Sequence, residues 1–134
     1  MRPRTLRRRL RIEALGALLA ARVAVRLVST RRLLTSAARP PGRPQRFADP
    51  DLPAQVAAAV DHVGSKTGAA CLPRALAAQA MLRRRGIASR LCLGVARDGR
   101  SLAAHAWVEI GQQVIIGEVD PASGSVFTPV AQFG

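Results

Sequence analysis

The spacing of apolar residues changes at Gly86, and that change restricts the chain to a helical part followed by a stranded part. Upstream, Leu15, Leu18, Leu19, Val23, Leu27 and Leu34 recur at three- and four-residue steps, the period of a helix face. Residues 53–63 form a second Ala/Val-rich helix, with Asp51 as N-cap, Pro53 in its first turn and Gly64 beyond its end. A third runs from Cys71 to about Arg85, with Pro73 in the first turn and Gly86 as its stop. Arg83, Arg84 and Arg85 complement the negative end of its dipole. Downstream the pattern is that of strands over residues 88–96, 102–110 and 113–119. Asp98-Gly99 and Gly111-Gln112 mark the turns between them. The expected class is α+β, with a helix packed on a small antiparallel sheet.

A chain of 134 residues has room for one domain and a helical extension. Aromatic residues make up 3% and tyrosine is absent, so Leu, Val, Ile and Ala must build the core. The net charge of +13 is unevenly placed: residues 1–46 hold 13 Arg against Glu13 alone, whereas the remainder is nearly neutral. Of the 21 basic residues only Lys66 is a lysine, a bias expected of a GC-rich bacterial genome. Pro and Gly between Ala38 and Arg46 read as a linker, dividing a basic extension (1–46) from the main domain (47–134). The first helix resembles a signal sequence in its basic start, but Glu13, Arg22 and Arg26 interrupt the apolar run and argue against a membrane span. Packing on its own domain is the expected role, with peripheral contact to an anionic membrane or a partner protein as the sharper alternative. No aromatics interleave the arginines, so no specific nucleic-acid contact is expected.

Two cysteines make no disulfide framework, and a reduced cytoplasmic setting suits them. Cys71 opens a helix, where unpaired amides and the dipole favour a thiolate and are able to receive an oxyanion. An inert buried thiol is the competing reading; Cys92, inside the apolar run 87–95, fits that description. His105 lies on the second strand. A two-residue turn at Gly111-Gln112 pairs Ile110 with Gln113 and sets His105 opposite Glu118. His105, Trp107 and Glu109 then share a face with Val114, Ile116, Glu118 and Asp120. A carboxylate is thereby available to orient the imidazole. His62, alone in an Ala/Val helix, reads as a surface or packing residue. Neither histidine nor cysteine spacing makes a metal set, and no cofactor is implied.

The segments Cys71-Leu72-Pro73-Arg74-Ala75-Leu76-Ala77, Met81–Ala88, Leu93-Gly94-Val95 and Ala104-His105-Ala106-Trp107-Val108-Glu109 resemble, in order and spacing, the transglutaminase-like cysteine peptidases of lasso peptide biosynthesis. The leader peptidases of that family are called B2 proteins, and the resemblance is to their standalone form. The resemblance covers about residues 50–134, and its His-Ala-Trp-Val-Glu piece occurs across the wider transglutaminase-like superfamily. It implies a papain/transglutaminase-like core with Cys71 as nucleophile and His105 as general base and acid. Val119-Asp120-Pro121 resembles the Val-Asp-Pro that often carries the third member, so Asp120 is expected there and Glu118 is the runner-up. An Asp before Pro also caps turns. Trp107 and Glu109 are expected to shape the cleft. The implied partners are a lasso precursor peptide, a separate leader-recognition (B1) protein and an ATP-dependent lasso cyclase. A transamidating acyltransferase and a non-catalytic binding protein are the other classes.

Overall fold

Glycines in the left-handed region close the helix that precedes Cys71 and the helix that Cys71 begins. The computed structural model describes residues 3–27, 51–98, 101–111, 113–117 and 128–133. Helix α1 spans Pro3–Leu27, α2 Leu52–Thr67 and α3 Cys71–Arg84. Helix α2 runs through Gly64 and stops at Gly68, whose φ of 67° and N–H bond to the Gly64 carbonyl make the C-cap. The expected stop at Gly64 is thus one turn short, because a glycine within a helix breaks it only when its φ turns positive. Asp51 occupies the N-cap position without a side-chain cap bond.

Helix α3 begins and ends as its sequence indicates. Gly86 (φ 71°) follows it, and its N–H bonds the Arg83 carbonyl while Ile87 N–H bonds Leu82. These two bonds form a Schellman motif, with Ile87 and Leu82 buried together. The sheet has four strands in the order β3-β2-β1-β4. They are β1 (Arg90–Asp98), β2 (Ser101–Ile110), β3 (Gln113–Ile116) and β4 (Thr128–Phe133), the last of which the sequence reading does not anticipate. Antiparallel pairing of β1 with β2 sets Leu91 opposite Val108 and Gly94 opposite His105. The α+β expectation holds, with helix α3 against a small antiparallel sheet.

One core joins helices and sheet. Leu10, Ala14 and Leu18 from α1 meet Val56 and Val60, Met81 and Leu82, and Leu91, Val108 and Ile116. Each large side chain removed from water here contributes about 1.5–3 kcal/mol. Helix α1 packs on both α2 and α3, and Arg85 grips Glu13 through both guanidinium nitrogens, one of them at 2.9 Å. That hydrogen bond, with the nearby charges of Arg85 and Arg84, holds the Glu13 carboxyl below its ordinary range although partial burial opposes the shift. The face of α1 that packs differs from the stripe expected. Of that stripe only Leu18 is buried among the described residues; Leu15, Leu19, Val23 and Leu27 are 42–79% exposed. The Leu10–Ala14–Ala21 side supplies the contact, since small residues let neighbouring helices approach closely.

Candidate active site

Cys71 is the first residue of α3, preceded by Ala70 in extended conformation with no side-chain cap. In the first turn of a helix the leading N–H groups have no intrahelical acceptor. Pro73 brings none, which leaves those of Cys71 and Leu72 at the thiol. Both the placement and the reason were legible from Pro73.

Two contacts fix the turn before the thiol. Ala69 N–H bonds the Gly64 carbonyl at 3.0 Å, and Arg74 Nε donates to the Ala69 carbonyl at 2.8 Å. The Arg74 guanidinium also stands 3.5 Å from Asp61, an open ion pair. A cleft of about 500 Å³ is lined by Asp61, Ala69, Cys71, Arg74, Ala75, His105, Ala106, Ile115, Ile116 and Gly117. The two residues that the sequence analysis assigned as nucleophile and base therefore face one cavity.

His105 is half-buried on β2. Its Nε2–H donates to the Gly117 carbonyl, which accepts only, so Nε2 carries a proton and Nδ1 is the nitrogen left for acid–base work. Trp107 stacks on the imidazole with ring centroids 6.1 Å apart and planes 20° from parallel. The Trp107 indole N–H donates to Glu109 at 2.9 Å. Neither is among the described residues lining the cleft, so they support His105 rather than form its wall.

The strand register corrects part of the expected arrangement. The two-residue turn is present, with Ile110 opposite Gln113 and Glu109 opposite Val114. Next, Val108 pairs with Ile116, so Ile115 is an extra residue on β3. A bulge of one residue inverts the alternation beyond it. Ile116 accordingly joins Val108 in the core and does not share the His105 and Trp107 face. The simple two-strand count that set Glu118 opposite His105 no longer applies. Glu118 and Asp120 themselves lie outside the described residues.

Gly117 is the site residue that sequence reasoning missed, because it fell within an expected strand of residues 113–119. Its φ is 83°, and a Cβ there would stand 2.7 Å from the Ala106 carbonyl oxygen. Only glycine permits that conformation this close to β2. The signal was available, since a glycine after Val114-Ile115-Ile116 suggests a close backbone approach.

The other candidates separate cleanly. Cys92 is fully buried, and burial first, then the Glu109 charge, push its thiol up to about 11. It fits the inert thiol expected. His62 is not among the described cleft residues; desolvation, then Arg11 and Lys66, lower its pKa. Among the described residues no group of His, Cys, Asp and Glu could hold a metal ion, and no helix is long and apolar enough to cross a membrane.

Comparison with known proteins identifies a family for the chain and nothing finer. No curated protein and no solved structure matches the chain. Residues 15–132 match the family described as the transglutaminase-like superfamily. The matched span begins within α1 and includes both Cys71 and His105. By that match, which covers well over half of its length, the chain belongs to the transglutaminase-like superfamily.

Proposed function

We propose that the protein is a cysteine peptidase that removes the leader from a ribosomally made lasso precursor peptide. The observation that carries the reading is the meeting of Cys71, at the open end of α3, and His105 in one cleft. The Cys71 thiolate attacks the carbonyl at the leader–core junction, and the Cys71 N–H stabilises the resulting oxyanion. Protonated His105 gives its proton to the departing core amine as the C–N bond breaks, leaving a leader thioester. Water, deprotonated by His105, then attacks the thioester and releases the leader acid and the thiol. Asp120 is the proposed third member, with Glu118 as runner-up. The Gly117 carbonyl already orients the ring.

The proposed setting is the bacterial cytoplasm. A separate leader-recognition protein presents the precursor, and an ATP-dependent lasso cyclase consumes the freed amine. The exposed apolar stripe of α1, beside its arginines, is a proposed contact for a partner protein or a peripheral membrane. Because the opposite face of α1 is core, that contact is tested by Leu19→Glu with Val23→Glu rather than by truncation. Catalysis is tested by mixing precursor, recognition protein and this chain, and weighing the products. Hydrolysed leader and core that vanish with Cys71→Ala support the peptidase. Equal cleavage by Cys71→Ala ends it. Leader joined to an added amine identifies the acyltransferase instead, which would use the same thioester.

A further inference from the structure

We infer that Arg74 is a positioning residue for Cys71, and that residue 64 is glycine because the Arg74 side chain lies across it. The inference rests on the reading of Cys71 as a nucleophile.

Ala69, two residues before the thiol, is held at both of its peptide groups. Its N–H goes to the Gly64 carbonyl at 3.0 Å, and its carbonyl accepts Arg74 Nε at 2.8 Å. The backbone N–H of Arg74 also reaches the Ala70 carbonyl at 3.3 Å. Arg74 thus ties down the two residues that lead into Cys71, from within the helix that Cys71 begins. This turn has no side-chain cap of its own, as Ala70 is the N-cap residue. The charge-assisted bond from Arg74 is therefore the described side-chain contact that orients the turn.

Gly64 makes the clamp possible. A Cβ at that position would stand 2.7 Å from Arg74 Nε and 3.1 Å from Cδ and Cζ. Those atoms belong to the outer part of a flexible side chain, so a methyl group would displace the guanidinium rather than the helix. Gly64 has no positive φ and lies inside α2, where glycine is disfavoured relative to alanine. Local propensity alone argues for alanine here; the Arg74 side chain supplies the reason against it. The Asp61 contact does not account for the arrangement, because it is 3.5 Å long and Asp61 is 52% exposed.

The test uses the full chain and iodoacetamide, with Cys71 and Cys92 labelling read separately by peptide mapping. Gly64→Ala, Arg74→Gln, Arg74→Lys and the double variant Gly64→Ala/Arg74→Gln are compared with wild type at neutral pH. The expectation is slower Cys71 labelling in Gly64→Ala and Arg74→Gln, partial recovery in Arg74→Lys, and a thermal midpoint in Gly64→Ala no lower than wild type. Misplacement of a reacting group by about 1 Å costs on the order of 100-fold in turnover, so kcat for precursor cleavage should fall in Gly64→Ala with KM unchanged. In the Arg74→Gln background Gly64→Ala should have no further effect, since both remove one contact. Wild-type labelling and kcat in Gly64→Ala, or fully additive effects in the double variant, overturn the inference while leaving the nucleophile in place. A wild-type Cys71 that labels no faster than buried Cys92 overturns the nucleophile reading and this inference together.

Discussion

The two walls of the cleft are built by different means. The Cys71 wall is local: a helix start, a proline in its first turn and an arginine three residues on hold the thiol within one stretch of chain. The His105 wall is long-range: the imidazole depends on Gly117, twelve residues away, and on a bulge that shifts β3 against β2. Helix α1 buttresses the first wall, through Glu13 and the Leu10–Leu18 face. Local devices survive neighbouring substitutions better, because fewer independent elements must stay in register to keep the geometry.

Removing the chemical group from the long-range wall gives the largest effect. On the proposed peptidase reading, His105→Ala should lower the cleavage rate by about 10²–10⁴-fold, measured as kcat with the precursor, while the thermal midpoint stays close to wild type. A full-rate His105→Ala protein would remove the long-range wall from the chemistry altogether.

Next come the two faces of α1. Leu18 is fully buried and Leu19 is 52% exposed. Leu18→Ala should cost about 2–5 kcal/mol, whereas Leu19→Ala should stay within about 0.5 kcal/mol, both read from urea denaturation. Equal costs would mean that the buttress rests on the other face.

Gly117→Ala and Gly64→Ala are the same chemical change on opposite walls. At Gly117 the positive φ and the Ala106 carbonyl 2.7 Å from the added methyl should cost about 2–4 kcal/mol in stability. At Gly64 the obstacle is the end of a side chain, and the melting temperature should not fall. Similar melting temperatures for the two variants would contradict the contrast between backbone and side-chain obstruction.

The smallest effect concerns Glu13, whose carboxyl Arg85 holds below the ordinary value of 4.5. A depressed carboxyl adds stability that is complete above pH 4.5 and is lost as pH falls through the lowered value in the folded protein. Glu13→Gln should therefore cost about 1–2 kcal/mol at neutral pH and lose less on acidification than wild type. Parallel denaturation curves for the two proteins across the acid range would show that the pair contributes nothing.

Much of this arrangement is legible in the residues. The start of α3 follows from Pro73 and its end from Gly86, and Cys92 as an inert thiol follows from the apolar run around it. The phase of α1 was not legible, because that helix carries apolar residues on two faces and periodicity alone does not say which meets the core. The stripe of larger residues, Leu15, Leu19 and Val23, faces outward, while the smaller Ala14 and Ala21 lie inside. The end of α2 was misplaced for a related reason: Gly64 and Gly68 are both plausible stops, and only a left-handed φ distinguishes them.

Local chemistry, then, made Cys71 and His105 candidates and indicated the change from helices to strands at Gly86 and the concentration of net positive charge in the first 46 residues. Those properties depend on side-chain type and on spacing within a turn or two. The Gly117 carbonyl on His105 and the inversion of β3 at Ile115 emerge only when separate strands pair. A one-residue bulge changes which side chains share a face without leaving a distinctive composition, and a hydrogen bond to a backbone carbonyl is independent of the residue that supplies it.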